Sequence, residues 1–373
     1  EDIYLTIDTS LQIAAEEALG KDRGSVVAID PNTGEILALA SQPSYNPNLF
    51  VQGINNQDFQ KLQNDPDSPL YNRALRGLFA PGSVIKPFIA ILGLDENITT
   101  PNFQLFDPGW YRVPGTEHLF HDWKLTGHGW VNISKAIIES CDIYFFDLAH
   151  KLGIQKMDAI LKEFGFGKLT EIDMGEELPG NVPTPDWKLQ NRGSSWYSGD
   201  TVQVGIGQGF LQITPLQLAV AVSTIANRGQ RYQPHLLYEV KMPNNELLKQ
   251  DPIEKDPIIL KNPQNWQTVI SAMSKVTTEG TGVRFGTPHY SVAAKTGTAQ
   301  LYSIKYDDNS PEKAIPVKLR NNSTFIAFAP VNHPQIAIAV VDQNNTTAPT
   351  IARKVLDQYL IKEGHLKDNS DVH

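Results

Sequence analysis

The first forty residues show two different periods of hydrophobic and polar positions. Apolar residues at helical spacing predict a helix over 9–19, with Asp8 or Thr9 as its N-cap. Residues 24–30 and 35–40 are apolar runs joined by a Pro-Asn-Thr-Gly turn, which predicts a β-hairpin. The chain is therefore expected to begin with a helix and a pair of strands.

The middle of the chain is dominated by helical patterns. A nearly uniform apolar run predicts a buried helix, and four more helices are expected from their periodicity, so the set is 84–94, 133–152, 156–164, 214–227 and 265–278. Polar and Pro-rich segments between them are expected to be irregular, at 41–80, 95–135 and 165–205.

Strand patterns return in the C-terminal part, at 290–299, 323–330 and 335–342, and a last helix is expected over about 350–361. The second and third of these strands are too close in sequence for a crossover helix. They are therefore expected to pair antiparallel.

The predicted fold is α+β, with an antiparallel sheet built from both chain ends, flanked by helices, and a mainly helical subdomain. We expect a single domain over 1–373. Within it, the sheet subdomain is expected at about 1–40 and 285–373, and the helical subdomain at about 41–284.

Composition restricts the classes of function. The net charge is −9 and no basic run occurs, so nucleic acid is not expected as a partner. Cys141 is the single cysteine, which rules out an internal disulfide. No apolar stretch has the length needed to span a bilayer. The start at Glu1, without Met, is typical of the interior of a longer protein.

A serine and a lysine at the start of the predicted buried helix suit nucleophilic chemistry. Ser83 and Lys86 stand three residues apart, so their side chains share one helix face at about 5–6 Å. Burial there would favour a neutral Lys86 that could act as a general base. Taken alone, the pair is better explained by a capping serine and a lysine that reaches solvent.

Two further motifs follow downstream. Ser140, Cys141 and Asp142 fall inside the predicted helix 133–152, where serine is uncommon. Near the end of a predicted strand stand four residues that suit a carboxylate ligand and a close backbone approach, Lys295, Thr296, Gly297 and Thr298. Each motif has an ordinary alternative, namely a solvent-facing helix turn and a strand end with a bulge glycine.

The order of the three motifs is more informative than any one of them. Ser-x-x-Lys, then Ser-x-Asp or Asn, then Lys-Thr-Gly is the motif set of penicillin-binding proteins and class A β-lactamases. Ala80-Pro81-Gly82 before Ser83 and the glycine-rich segments at 205–209 and 280–282 strengthen the match. The chain resembles the transpeptidase domain of class B penicillin-binding proteins along nearly its whole length. Asp142 in place of Asn points to the penicillin-binding protein 2 branch, which acts in elongation.

The resemblance implies a serine D,D-transpeptidase that cross-links peptidoglycan stem peptides and is acylated by β-lactams. Ser83 would attack the penultimate D-Ala carbonyl and release the terminal D-Ala. Lys86 would take the serine proton, and Ser140 would relay protons between Lys86 and Lys295. An amine of a second stem peptide would then resolve the acyl-enzyme.

The third motif completes the implied site. Backbone N–H groups of Ser83 and Thr298 would form the oxyanion hole. The hydroxyls of Thr296 and Thr298 would hold the terminal carboxylate, with Lys295 supplying positive charge. The role of Asp142 stays open, because a carboxylate cannot donate a hydrogen bond as an amide does.

Four residues in and before the second motif have the composition of a zinc site, namely Asp107, Asp122, His128 and Cys141. The long, loop-rich segment 101–132 needs something to order it, and members of the penicillin-binding protein 2 branch include such a site. The resemblance therefore implies a structural zinc and no cofactor for catalysis. His118 and His121 remain alternatives to His128.

The resemblance also implies location and partners. The whole protein would be anchored in the inner membrane with this domain in the periplasm, and it would work with a membrane glycan polymerase and elongation scaffold proteins. A D-Ala-D-Ala carboxypeptidase and a β-lactam sensor without turnover remain alternatives. A β-lactamase is less favoured because no deacylating Glu stands in a clear loop motif, and an inactive scaffold is less favoured because every motif residue is intact.

Other features have plainer interpretations. Gly205-x-Gly207-x-Gly209 is not spaced as a dinucleotide loop, so tight packing is the better explanation. The aromatics at 110, 111, 123 and 130 suit a glycan or partner surface, but packing in the core or against loops is the better interpretation. Residues 302–322 are expected to form a mobile loop beside the active strand.

Overall fold

The computed structural model describes residues 1–286, 288–299 and 320–366, so the expected mobile loop at 302–322 lies almost wholly outside the described residues. The described strands are β1 Asp2–Leu5, β2 Gly24–Ile29, β3 Ile36–Gln42, β4 Leu105–Asp107, β5 Trp110–Arg112, β6 Leu119–His121, β7 Gly129–Val131, β8 Arg231–Tyr232, β9 Leu237–Lys241, β10 Leu247–Lys249, β11 Glu254–Lys255, β12 Ala293–Ala299, β13 Asn322–Ala329 and β14 Ile336–Asp342. The described helices are α1 Thr9–Leu19, α2 Asn48–Val51, α3 Asn56–Gln63, α4 Arg73–Arg76, α5 Lys86–Asp95, α6 Ile133–Ile138, α7 Asp142–Leu152, α8 Ile154–Glu163, α9 Pro185–Arg192, α10 Ser198–Gly205, α11 Pro215–Ala226, α12 Gln264–Met273, α13 Val276–Glu279 and α14 Ala348–Asp357.

The central sheet joins the two ends of the chain, as predicted. Its strand order is β12-β13-β14-β2-β3, and every neighbouring pair is antiparallel. The predicted hairpin forms β2 and β3, and the three predicted C-terminal strands form β12, β13 and β14. The predicted α+β fold is therefore confirmed.

Both faces of this sheet are buried, which explains why its strands are apolar almost throughout. On β2, Val26 and Ala28 pack into one core with α1 and α14, whereas Val27 and Ile29 pack into a second core with the helices of the middle region. This alternation is the period of two that places successive strand side chains on opposite faces. The sheet thus separates two hydrophobic cores.

Local signals set the ends of the helices that flank the sheet. Asp8 caps α1, because its carboxylate accepts a hydrogen bond of 2.9 Å from Leu11 N. Thr214 and Gln217 form a reciprocal capping box at the start of α11, and Pro215 occupies its first turn. Both helices begin where the sequence predicts.

The middle region differs from the prediction in two places. The helical pattern over 133–152 is two helices, α6 and α7, separated by Ser140 with φ of 57°. The segment 101–132 is not simply loop, because it forms the antiparallel pairs β4–β7 and β5–β6. These short strands bring Asp107 and Asp122 towards the start of α7.

Candidate active site and an adjoining metal-ligand cluster

The three motifs meet in one cleft of about 600 Å³ on the side of the sheet where β12 forms the edge. The residues that line it are mostly uncharged and polar: Ser83, Trp123, Ser140, Asp142, Ile206, Gln208, Thr281, Arg284, Thr296, Gly297, Thr298, Asn321, Asn322, Ser323, Asn345, Thr346 and Pro349. Lys86 and Lys295 lie directly beneath this lining and are fully buried. The structure therefore brings together every residue that the motifs predict for the catalytic site.

Ser83 lies in a short 3-10 turn, Gly82–Ile85, that leads directly into α5. Its side chain is partly exposed at the cleft, whereas the neighbours Val84 and Ile85 are buried in the core. The turn is fixed against β13, because the Thr324 hydroxyl donates to Pro81 O at 2.9 Å. An accessible hydroxyl on an anchored turn is the arrangement that a nucleophile requires.

Residues of the second motif accept the hydrogen bonds that Lys86 donates. Its Nζ donates to Ser140 O at 2.8 Å, to Ser140 Oγ at 3.2 Å and to Asp142 Oδ1 at 2.6 Å. Three acceptors, one of them a carboxylate, match the three donors of an ammonium group. Lys86 therefore lies in an ion pair with Asp142, a partner that the sequence did not assign to it.

Ser140 stands between two lysines because the chain breaks its helix there. The left-handed conformation of Ser140 ends α6 and starts a turn whose next residue, Cys141, is the N-cap of α7. Ser140 Oγ accepts from Lys86 at 3.2 Å and from Lys295 at 2.9 Å. A hydroxyl in contact with both lysines can take a proton from one and give its own proton to the other, which suits a relay.

Lys295 has a different environment from Lys86. Its Nζ also donates to Thr296 O at 3.0 Å, and no carboxylate among the described residues pairs with it. Burial, reinforced by the nearby charge of Lys86, holds the pKa of Lys295 well below its usual range, with Asp142 opposing the shift. Of the two lysines, Lys295 is the one that burial favours in the neutral form.

The remainder of the third motif faces the cleft. Thr296 Oγ1 is hydrogen-bonded to Thr281 Oγ1 at 2.5 Å, and Gln208 Nε2 donates to Thr298 O at 2.9 Å. Gly297 leaves room for another backbone, since a Cβ there would lie 2.2 Å from Thr324 Oγ1 and 2.8 Å from Pro81 O. The predicted close approach is thus made by the nucleophile turn itself.

The glycine-rich segment at 205–209 packs against the same turn. Gly82 N donates to Gly207 O at 2.9 Å, and a Cβ on Gly207 would lie 2.1 Å from Gly82 O. Gly207 has φ of 74°, a conformation that side chains rarely adopt. Tight packing against the nucleophile turn therefore accounts for the glycine at position 207.

Trp123 is a cleft residue that the sequence did not reveal. Its indole N–H donates to Ser140 O at 3.1 Å and its backbone N–H donates to Asp142 Oδ2 at 3.2 Å, while 59% of the residue stays exposed. The sequence favoured ordinary packing for Trp123. The one available signal was its position next to Asp122, a predicted metal ligand.

The four predicted metal ligands come together in the structure. One ligand atom from each of Asp107, Asp122, His128 and Cys141 lies within 4.8 Å of the others, and all four residues are buried. His118 and His121, the alternatives to His128, are not part of this group. His128 Nδ1 faces the carboxylates, at 2.7 Å from Asp107 Oδ2 and 3.5 Å from Asp122 Oδ2.

The electrostatics of this cluster fit a divalent cation. Burial, reinforced by the charge of Asp122, raises the pKa of the Cys141 thiol. Although burial opposes the charged imidazole, hydrogen bonds to Asp122 and Asp107 raise the pKa of His128. A buried group of two carboxylates, an imidazole and a thiol is a donor set that zinc accepts, and a bound cation would favour the thiolate.

The cluster and the catalytic motif share hydrogen bonds. Asp122 Oδ2 accepts from Asp142 N at 2.8 Å and from Ile143 N at 3.4 Å, so it holds the first turn of α7. Asp107 Oδ2 accepts from His128 N at 2.9 Å, which orients the histidine. A cluster residue, Asp122, therefore fixes the backbone position of Asp142 directly.

Comparison with known proteins identifies the class of protein. The family described as "Penicillin binding protein transpeptidase domain" matches residues 24–360. The chain therefore belongs to the penicillin-binding protein transpeptidase family, as its three motifs predict. None of the helices in the described ranges is long and apolar enough to cross a membrane.

Within that family, the similarity is to penicillin-binding protein 2. The chain is 44% identical over 363 residues to "Peptidoglycan D,D-transpeptidase MrdA" of Acinetobacter baumannii, which covers 96% of the chain and 54% of that relative. Identity to MrdA of Escherichia coli is 39% over 370 residues, covering 98% of the chain and 58% of that relative. The chain thus spans little more than half the length of these relatives.

Solved structures give the same result. The structure of Pseudomonas aeruginosa PBP2 in complex with WCK 5153 has a TM-score of 0.87 and 42% identity, covering 98% of this chain and 77% of that chain. PBP2 in its complex with MreC from Helicobacter pylori has a TM-score of 0.86 and 32% identity, covering 98% and 64%. The predicted resemblance to the penicillin-binding protein 2 branch is confirmed.

The contact between Gly207 and the nucleophile turn generates a prediction. Gly207→Ala would add a Cβ that meets Gly82 O, so we expect the turn to shift and acylation of the protein by benzylpenicillin to slow by about 10-fold or more. The measurement is the second-order rate constant of adduct formation, obtained by intact-mass spectrometry of samples quenched at successive times. The free energy of unfolding in urea is measured alongside it.

Gly193→Ala is the matched control. Gly193 has φ of 64°, but a Cβ there would meet nothing within 4 Å. This variant should lose about 1–2 kcal/mol of stability from backbone strain alone and acylate at the wild-type rate. Equal acylation rates for the two variants would contradict a positioning role for the Gly207 contact.

Proposed function

We propose that this chain is one transpeptidase domain over 1–373 of a longer peptidoglycan D,D-transpeptidase, with Ser83 as its nucleophile. The observation that supports this best is the position of Ser140 Oγ, which is hydrogen-bonded to both Lys86 and Lys295 at the floor of the cleft that Ser83 enters. Such a network can carry a proton away from a serine and return it to a leaving group.

The proposed first step forms an ester between Ser83 and the penultimate D-Ala of a stem peptide. Lys86 first gives a proton to Ser140, which passes its own proton to Lys295, and the freed Lys86 amine then takes the proton of Ser83 as its Oγ attacks the carbonyl carbon. The peptide bond then breaks, and the terminal D-Ala leaves as an amine that takes the proton back. An amine of a second stem peptide attacks the ester in the same way and regenerates Ser83.

Binding groups surround this path. We assign the oxyanion hole to the N–H groups of Ser83 and Thr298, and the substrate's terminal carboxylate to the hydroxyls of Thr296 and Thr298. Gly297 allows Ser83 and the third motif to stand side by side. Asp142 acts as the counter-ion of Lys86, a role that an Asn could not fill.

We propose that Asp107, Asp122, His128 and Cys141 hold a structural zinc. Zinc would neutralise the two buried carboxylates and stabilise the Cys141 thiolate. These residues tie the segment 101–132 to the start of α7, and Asp122 in turn holds Asp142 N. The metal would therefore order the catalytic motif without taking part in the reaction.

The relatives support a proposal for partners and location. PBP2 of Helicobacter pylori forms a complex with MreC, and we propose that the whole protein binds a scaffold of that kind and a membrane glycan polymerase. We also propose that β-lactams acylate Ser83, the serine of the Ser-x-x-Lys motif. We propose the periplasm as the location of this domain, on a membrane-anchored protein.

The first prediction concerns the nucleophile. Incubation with benzylpenicillin should raise the intact mass by one inhibitor per chain, and Ser83→Ala should abolish the increase while the fold, measured by circular dichroism, is kept. Ser195→Ala, an exposed serine outside the cleft, should acylate like the wild type. An adduct on the Ser83→Ala protein would show that another residue is the nucleophile.

The fate of the acyl-enzyme separates the alternatives. With a D-Ala-D-Ala donor peptide and an excess of an amine acceptor, a transpeptidase gives the amide product. A carboxypeptidase gives only the hydrolysed peptide, and a β-lactam sensor gives a persistent adduct without peptide product.

The second prediction concerns the metal. Protein purified without chelator should contain about one zinc per chain by plasma mass spectrometry. Cys141→Ser should lose the metal and unfold at a temperature several degrees lower, because two buried carboxylates are then left without a cation. His118→Gln, outside the cluster, should keep the metal. A metal-free wild type with unchanged thermal stability and full acylation would exclude the site.

A further inference from the structure

The charge of the cleft is distributed unevenly. Among the described residues that line it, Asp142 is paired with the buried Lys86, so its charge is compensated. Arg284 is the cation of this lining, and it is exposed. The chain as a whole carries a net charge of −9, so among the described lining residues this guanidinium is the group that can attract an anion into the cleft.

Arg284 is placed by the same segment that contacts the third motif. Thr281, three residues earlier, is hydrogen-bonded to Thr296 at 2.5 Å. The chain then forms the 3-10 turn Val283–Phe285, whose Phe285 is buried against the sheet core. The backbone that presents Arg284 is thus anchored on both sides.

The guanidinium itself is held by the loop that follows β14. Arg284 Nη1 donates to Thr346 Oγ1 at 3.0 Å and to Thr346 O at 3.5 Å. No carboxylate in the described part of the chain lies within ion-pair distance of Arg284. A guanidinium carries five N–H donors, so this contact leaves several of them for a ligand.

Thr346 belongs to a loop fixed by its own hydrogen bonds. Asn345 Oδ1 accepts from Thr346 N at 2.8 Å, and Asn345 Nδ2 donates to Asp22 Oδ2 at 2.9 Å. One residue earlier, Asn344 N donates to Asn322 Oδ1 at 3.0 Å. Because the loop is ordered before any ligand arrives, binding would not have to order it.

The two side chains complement each other as donors. Since Thr346 Oγ1 accepts its hydrogen bond from Arg284, the hydroxyl proton of Thr346 is free to be donated to a third group. An arginine and a hydroxyl beside each other on a fixed loop suit a carboxylate, which accepts at both oxygens. The chemistry of this pair therefore points to a substrate carboxylate.

We propose that Arg284 and Thr346 form a second carboxylate subsite, which binds a side-chain carboxylate of the stem peptide. The proposal rests on the proposed function, in which Thr296 and Thr298 hold the terminal carboxylate. It makes the enzyme selective for peptides that carry a free acid in the residue before the D-Ala pair. A peptide with that acid converted to a carboxamide is the weaker substrate.

The test uses two donor peptides that end in D-Ala-D-Ala and differ only in that side chain, a free carboxylate in one and its carboxamide in the other. Each peptide competes with a fluorescent penicillin for Ser83, and the competition gives its relative kcat/KM. We expect the wild type to prefer the carboxylate by about 3- to 10-fold, in line with a charge-assisted pair at an exposed site.

Variants assign the preference to the pair. Arg284→Gln should reduce the preference to about 1, Arg284→Lys should keep part of it, and Thr346→Val should reduce it. Arg112→Gln, an exposed arginine outside the cleft, should keep the wild-type preference. Benzylpenicillin has only its ring carboxylate and no side-chain carboxylate for the subsite. Its rate of acylation therefore measures the reactivity of Ser83 in every variant.

Three outcomes would overturn the subsite. The first is a carboxylate preference that persists in Arg284→Gln. The second is failure of either peptide to compete while benzylpenicillin still acylates the protein. The third is an equal loss of reaction rate in Arg284→Gln for both peptides and for benzylpenicillin. The last result would place the terminal carboxylate at Arg284. Absence of any penicillin adduct on the wild type would instead refute the proposed function.

Discussion

The buried ion pair between Lys86 and Asp142 is the interaction on which the rest of the site depends. Lys86 and Lys295 are both fully buried, and two unpaired ammonium groups there would be strongly destabilising. Asp142 compensates one of them at 2.6 Å, and burial favours the neutral form of the other. Ser140 can then link the lysines by hydrogen bonds instead of separating two repelling charges.

The surrounding structure can be understood as support for this pair. Asp142 starts α7, and its backbone N–H is held by Asp122, a member of the four-residue cluster. Trp123 adds a hydrogen bond to the other oxygen of Asp142 and a second one to Ser140 O. Asp142 therefore has two roles: its carboxylate neutralises a lysine, and its backbone N–H joins the catalytic motif to the cluster.

The sequence predicted the parts of the fold that local signals determine. Capping at Asp8 and Thr214 and the period of two in the end strands were sufficient for α1, α11 and the central sheet. The break at Ser140 was not predicted, because apolar spacing continues across 133–152 and serine is not a residue that usually adopts the left-handed conformation found there. The turn is closed by the backbone, since Cys141 N donates to Ala136 O at 3.0 Å.

The motif residues were predictable by type and order, but their protonation and neighbours were not. Burial alone suggested a neutral Lys86, and only the distance to Asp142 shows that the carboxylate compensates it. Trp123 and Arg284 reach the cleft through long-range packing that leaves no periodic pattern in the sequence. A double-mutant cycle of Lys86→Met and Asp142→Asn, followed by urea unfolding, tests the central pair most directly. We predict a coupling energy of about 2 kcal/mol or more, since each single variant leaves a buried partner uncompensated. Additive losses, with a coupling energy near zero, would contradict the account.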